Sequence, residues 1–416
     1  MEQAADIIIV GAGISGIAAA HELQKRGYSV LILEASHRVG GRAYTSRDTG
    51  FSTPTDLGCR WFQNTDDNPL IGIAESLGFK PQKELGGEYY VQGKHWLGEE
   101  DAEDARDHIH KNWQRVADFS EEFDPVAAKT LSSTGRWQGL FRYLFAVNTG
   151  RDVEEASTQD LNRYEDNGES WFLDGMGTFI EKWSEGLPVQ FNSPVKNIST
   201  RPYGILVEGK DFELRANAAV ITVSAGVMKD QVISFSPPLP EWKQEAFEHI
   251  TMGHLEIFGI EFAEKILDVE PNSYVYVQNA DSSAMEFYLR PDGKEIALGF
   301  IGGKQGQALL DQGENAMVEF GLKQLGKIYE MDLSPFVHST FQTAWGKDPW
   351  IRGALSAAVP GGAEYRPDLA EPVRDRIFFA GEATSVTGFS SMHGAYSSGI
   401  RCVDQIEELE IPKSKG

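Results

Sequence analysis

The stretch DIIIVGAGISGIAAAHELQKRGYSVLILEASHRVGGR, residues 6–42, decides the fold. Ile7–Val10 reads as a buried parallel strand, a β-branched run that stops at glycine. Gly11-Ala12-Gly13-Ile14-Ser15-Gly16 then fits G-x-G-x-x-G, and residues 14–26 carry helical composition. Gly11 permits the tight turn, and Gly13 leaves room for backbone to approach a pyrophosphate. Gly16 lets helix and strand pack closely, so Ile14 and Ser15 open a helix whose free N–H groups can face an anion. Gly27 ends the helix, Val30–Leu33 forms the next strand, and Glu34 follows at the spacing of an acid that grips ribose hydroxyls. A glycine trio alone is weak, and a ligand-free βα turn would need nothing more. Strand, helix, second strand and acid in this order point to a dinucleotide. The acid disfavours a 2′-phosphate, which excludes NADP and leaves NAD or FAD.

Composition sets the outer bounds. The chain has 416 residues, too many for one compact core, so two domains are expected. Hydrophobic residues make up 41% and charged residues 24%, as in globular proteins. The balance of 38 basic against 62 acidic residues, net −24, argues against nucleic acid and an anionic membrane surface as partners. Such a field attracts a cationic substrate, although dispersed surface acid more often serves solubility. Cys59 and Cys402 cannot form a disulfide framework and fit a reducing, cytoplasmic compartment. Residues 1–6 hold no signal-peptide core, no stretch approaches the roughly 20 apolar residues of a spanning helix, and the tail IPKSKG is short and polar.

Further along, residues 99–170 are helix-like and highly charged. His108 and His110 lie two apart on that helix and point to different sides, so no metal site is expected there. Asp174-Gly175-Met176-Gly177 opens another helix, and residues 187–199 and 204–209 read as strands. Residues 218–229 read as a buried strand, residues 293–303 and 337–344 as strands of a second sheet, and residues 394–408 as a closing helix. The chain thus leaves and re-enters its nucleotide-binding unit. Residues 1–75, 174–230 and 342–416 are assigned to that domain, and residues 76–173 and 231–341 to a substrate domain.

Arg38-Val39-Gly40-Gly41-Arg42, shortly after Glu34 and Ala35, offers bare backbone and two guanidinium groups to a diphosphate. This segment resembles the FAD-binding amine oxidase superfamily, which includes monoamine oxidases, polyamine oxidases and lysine-specific histone demethylases. The match continues in order. DLGCRWFQNTDDNPL, residues 56–70, resembles the segment that lays Gly58, Cys59, Arg60 and Trp61 beside the flavin ring. DGMGTFIEKWSEGLPVQFNSPVKNI resembles the second glycine motif, with Val195 at adenine. AWGKDPWIRGALS resembles the tryptophan segment of polyamine oxidases and demethylases, placing Trp345 against the isoalloxazine. FFAGEATSVTGFSSMHGAYSSGIRCV resembles the C-terminal FAD motif. It places Gly381 and Glu382 at the diphosphate-ribityl region, and Ser391, Met392 and Ala395 at the pyrimidine edge.

The resemblance implies an α/β fold: a Rossmann-like FAD-binding domain with a discontinuous α+β substrate domain, in the amine oxidase and glutathione reductase-like architecture. It implies FAD as cofactor and an amine C–N bond oxidised to an imine. No second Rossmann unit for nicotinamide is found, so O2, giving H2O2, is the expected acceptor.

Three family positions are changed. The flavin-side lysine falls at Ile257, when Gly253 and Phe262 are paired with the family, or at Glu256 after a one-residue slip. The two tyrosines that face the flavin fall at Leu355 and Ser391. The cysteine that links flavin in monoamine oxidases falls at Ala354, so non-covalent FAD is expected; Cys59 reads as a buried free thiol. Ile257, Leu355 and Ser391 are assigned to the substrate pocket. His254, Glu256, Arg60 and His393 are the remaining polar candidates, and none is named a catalytic base. Glu256 could meet a substrate cation or face solvent on an alternating strand. The lost lysine and tyrosines keep a desaturase or ring oxidase, resembling renalase or carotenoid desaturases, in view, as well as a flavin-bearing binding protein.

Overall fold

A computed structural model describes residues 3–83, 86–119, 123–132, 134–168, 171–173 and 175–413, with residues 171–172 described by backbone alone. Asp174, Ser170 and the last residues of the tail lie outside the described residues.

Five parallel strands lie in the order Val189–Gln190, Val30–Leu33, Ile7–Val10, Ala218–Ile221 and Ile377–Phe379. Ile7–Val10 and Ala218–Ile221 are buried throughout, because both faces of this sheet are covered. Helices Ile14–Lys25 and Met392–Glu408 pack on one face. They cross closely at Gly399, where an added Cβ would stand 2.4 Å from the Ser15 carbonyl oxygen. The other face carries an antiparallel sheet with one parallel edge, ordered Glu213–Ala216, Gly204–Glu208, Asn197–Arg201 and Ser234–Ser236. Ala246 and Phe247 of helix Glu241–His249 join this same core, beyond the boundary expected at residue 230.

A seven-stranded sheet forms a second core. Its order is Val337–Gln342, Leu255–Phe262, Ile296–Gly302, Ala284–Leu289, Ser273–Gln278, Glu88–Gln92 and His95–Trp96. Alternation divides its faces. Phe258 packs against helix Ala316–Ile328 at Gly321, where a Cβ would lie 2.2 Å from the Phe258 ring. Ile257 points to the opposite side, over which helices Glu99–Ala117 and Gln138–Thr149 close a cavity.

Three boundaries differ from the sequence reading for local reasons. Residues 218–229 are not one strand: the strand ends at Ile221, and Ser224 caps a short helix, Ala225–Lys229, by accepting from Val227 N at 3.2 Å. The strand expected over 293–303 is Ile296–Gly302, preceded by the turn Pro291–Gly293. The closing helix starts at Met392 rather than Gly394, because Ser391 is its N-cap.

Candidate active site

A long slot runs along the C-terminal ends of the parallel strands, where doubly wound sheets bind their ligands. Gly11, Gly13, Ile14, Ser15, Glu34, Ala35, Arg38, Gly40, Gly41, Arg42, Cys59, Val195, Gly381, Glu382, Ser391, Met392 and Ala395 all line it. Gly16 does not: a Cβ there would lie 2.2 Å from the Gly11 carbonyl oxygen, so its bareness serves helix–strand contact. Gly13 faces open space, with no protein atom within 4 Å of an added Cβ. Gly40 and Gly41 have φ of +94° and +58°, a region that favours glycine. Both helices that flank the slot aim their N-termini at it through Ile14, Ser15 and Met392.

The charged groups of the slot are held by the chain itself. Glu34 accepts from Ala12 N and Ser36 N, both at 2.8 Å, which fixes its carboxylate above the glycine turn. Arg38 donates to the carbonyls of Val39 and Gly41 and lies 3.9 Å from the Tyr44 ring centroid. It braces the glycine turn as well as lining the slot. Arg42 lines the slot as well. Its Nη1 donates to Glu382 Oε1 and to the Ala354 carbonyl, each at 2.8 Å. Glu382 also accepts from Ser356 Oγ at 2.5 Å and Ser390 N at 2.8 Å. Burial works to raise the Glu382 carboxyl, but Arg42 and these bonds outweigh it and leave it below the usual range.

The slot opens into a cavity of ≈ 820 Å³. Arg42, Cys59, Ala354, Leu355, Ser390 and Met392 line both, so the two spaces meet at these six residues. Ile257 and Leu355, expected in the substrate pocket, line the cavity, and so do Gly58, Arg60, Trp61 and Trp345, which the sequence reading places beside the flavin. Cys59 is half-buried rather than fully buried, and desolvation pushes its thiol up to about 11, which disfavours a reactive thiolate at the junction.

Glu256 faces neither the cavity nor solvent. It is 1% exposed and accepts from Thr343 Oγ1, Trp345 N and Gly346 N at 2.5, 2.9 and 2.9 Å. The Thr343 hydroxyl oxygen in turn accepts from Ile257 N at 2.8 Å. Glu256 therefore anchors the loop that presents Trp345, and the reading of it as a substrate partner is set aside. His254 lies behind this loop and outside the cavity lining, close to Gly346. His393 is buried against Gly388 and lies 3.4 Å from Ser391 Oγ. Ser391 lines the slot but not the cavity, because its hydroxyl caps the helix, accepting from Gly394 N and donating to the Gly388 carbonyl. Phe389 and Ser390 line the cavity in its place.

One cavity wall was not anticipated. Register pairs Ile257 with Phe300, Phe300 with Glu286, Glu286 with Tyr276, and Tyr276 with Tyr90, so these side chains share one face. Of these, Ile257, Phe300, Glu286 and Tyr276 line the cavity, joined by Tyr274 and Glu88. Strands lie about 4.8 Å apart, which puts Glu286 about 10 Å from Ile257 between Cα atoms. The facing wall is apolar, with Ile109, Trp113, Val116, Leu144 and Val147. Among the described residues, no group of three or more His, Cys, Asp or Glu could hold a metal ion, and no helix is long and apolar enough to cross a membrane.

A parallel sheet with a glycine-turn slot opening into a closed cavity defines a flavoprotein oxidoreductase architecture. The family model for flavin-containing amine oxidoreductases matches residues 14–407, and the chain belongs to that family. It is 26% identical to polyamine oxidase 4 of Oryza sativa subsp. japonica, over 96% of this chain and 88% of that protein. It is 28% identical to lysine-specific histone demethylase 1 homolog 2 of Arabidopsis thaliana, over 96% of this chain but 58% of that protein. Its fold matches a double mutant of putrescine oxidase with a TM-score of 0.77, at 20% identity, over 97% of this chain and 99% of that one. The cofactor is FAD, and the reaction is oxidation at an amine C–N group, which decides between the readings the sequence left open. The slot fits FAD on its own terms: bare glycines where backbone must approach, two helix N-termini, a placed acid, and a ring-sized junction.

Proposed function

We propose that this chain oxidises an amine that carries a second positive charge, with O2 as acceptor and H2O2 as by-product. The observation that carries this is the row from Ile257 through Phe300 to Glu286 and Tyr276, which places a carboxylate on the cavity wall about 10 Å from Ile257. Among the described residues that line the cavity, Glu88, Glu286 and Asp166 are acidic and Arg42, paired with Glu382, and Arg60 are basic, so acid outweighs base along it. Tyrosine faces beside carboxylates favour an ammonium group. FAD, when bound, supplies the two-electron acceptance that turns the C–N bond into C=N.

The chain's own part is orientation and desolvation. Glu34, the glycine turn and the two helix N-termini would hold the dinucleotide, and Arg42 with Ala354 and Met392 would flank its ring end. Leu355 and Met392 at the junction, with Ile257, Trp345 and Phe389 along the cavity, give an apolar lining, where an ammonium loses hydration and a neutral amine is favoured. No side chain is needed as base. Glu286 holds the remote charge and so sets which carbon reaches the junction. We take residues 1–75, 174–230 and 342–416 as the FAD domain, with helix Glu241–His249 packed into its core, and the rest as the substrate domain. Non-covalent FAD is supported by Ala354 and the raised Cys59 thiol. Two free cysteines, Cys59 and Cys402, suit a cytoplasmic setting.

A chain-length series of α,ω-diamines in a peroxide-coupled assay tests this. Turnover should peak at one length, and each diamine should outperform its matching monoamine. A flat profile with equal monoamine turnover would remove the second charge from the account.

A further inference from the structure

The junction lacks aromatic side chains at Leu355 and Ser391, yet two rings stand beside it. Phe389, next to the junction residue Ser390, is 4% exposed and lines the cavity. Tyr164 lines it too, and the two ring centroids are 5.3 Å apart at 69°. Their loops are joined by Glu165 N, which donates to the Thr387 carbonyl at 2.8 Å. The Arg366 guanidinium lies over the Phe389 ring, 3.8 Å from its centroid. Arg366 is fully buried and grips Asp160 with two bonds of 2.5 and 2.7 Å. Its Nη1 also reaches Ser356 Oγ, the hydroxyl that donates to Glu382 at the junction.

These contacts close a ring. Asp160 belongs to helix Thr158–Asn162, and Tyr164 follows it, with its N–H on the Leu161 carbonyl at 3.1 Å. One short segment therefore reaches Phe389 twice, through Arg366, which Asp160 grips, and directly with Tyr164. Because Arg366 already occupies one face of Phe389, the ring is a poor site for a second cation. It serves as a stiff apolar wall for a neutral amine. Burial, with Asp166 second, pushes the Tyr164 phenol upward, so it stays protonated.

We propose that Tyr164 and Phe389 are the specificity-determining pair that orients the reacting carbon at the junction, with Asp160 and Arg366 as positioning residues that hold the Phe389 ring. The proposal rests on the amine reading and is independent of the second charge. A displacement of about 1 Å at a reacting centre can cost about a hundredfold in rate, which is the scale such a wall controls.

The test uses FAD-loaded protein and hexamethylenediamine. Three readouts are taken: the limiting rate of anaerobic flavin bleaching, the Kd of the amine for photoreduced protein by calorimetry, and FAD content. Phe389→Leu and Tyr164→Leu should each lower the limiting rate at least about tenfold, with Kd within about threefold and FAD content unchanged. Phe389→Tyr and Tyr164→Phe, which keep a ring at each position, should lose less rate than the matching leucine variants. Arg366→Lys should lower the rate in the same direction, and add nothing further in the Phe389→Leu background. Wild-type rates in both leucine variants, or rate lost only in step with FAD content, would overturn the pair. If Arg366→Lys does not fold, the cavity-facing variants still decide. Absence of bleaching by any amine in the wild type would instead overturn the amine reading.

Discussion

Replacing Glu286 with glutamine keeps the shape of the cavity wall and removes one negative charge about 10 Å from Ile257. An ammonium about 4 Å from a carboxylate gains roughly 4 kcal/mol in a medium of effective dielectric about 20. Desolvation of the ammonium and the opposing Arg60 charge both reduce this gain, and Glu286 is only half-buried. A charge-assisted hydrogen bond nets about 1.5–3 kcal/mol, so about 2 kcal/mol is a reasonable working value. That corresponds to about a thirtyfold fall in kcat/KM for hexamethylenediamine. Hexylamine has no second charge and should change by no more than about twofold to threefold on the same scale. The assay is the ratio of the two kcat/KM values in wild type and Glu286→Gln, measured at fixed ionic strength. A ratio cancels losses of FAD or of folded protein. If the variant lowers both substrates equally, or leaves the ratio unchanged, the remote charge is not read by Glu286.

The same geometry yields three further expectations. Ile257 is 4% exposed and lines the cavity at the position where the family resemblance expects the flavin-side lysine, and an apolar residue there offers no electrostatic help to oxygen reduction. Reoxidation of photoreduced protein should therefore be slow, and Ile257→Lys should speed it in stopped-flow unless burial neutralises the lysine; fast wild-type reoxidation that the lysine leaves unchanged would contradict this. Glu34→Ala should weaken FAD by about 1.5–3 kcal/mol through the lost ribose bond, because the carboxylate is held in place by Ala12 N and Ser36 N. Fluorescence titration of apoprotein measures it, and an unchanged Kd would show that Glu34 does not reach the ribose. Acid precipitation should release intact FAD into the supernatant, since Ala354 lies at the junction and Cys59 is held as a thiol; flavin in the pellet would refute non-covalent binding.

The nucleotide slot was legible because its requirements are local. Gly11 to Gly16 and Arg38 to Arg42 each owe their residue types to a turn, a close approach or a nearby charge, and neighbours in sequence supply most of the partners. Ile257 could be located by counting from Gly253 and Phe262 along one strand. Glu256, its neighbour, could not: its acceptors were filled by Thr343, Trp345 and Gly346, almost ninety residues away. Ser391 was misassigned because the helix was started at Gly394, which hid an N-cap serine with its bond to Gly394 N. Glu286, Tyr276 and Glu88 carry no motif. Only the register of three strands brings them to one wall. Tyr164 and Phe389 come from loops more than two hundred residues apart and meet through a buried Asp160–Arg366 pair. Nothing in either loop, read alone, announces a partner.

The most direct test of the central claim is an anaerobic titration of the purified, FAD-loaded protein with hexamethylenediamine, followed through the flavin's visible absorption band. The account predicts complete bleaching by one equivalent of diamine per flavin, with one equivalent of aldehyde formed after imine hydrolysis. An unbleached spectrum in excess diamine, in protein whose flavin is still reduced by dithionite, would contradict it.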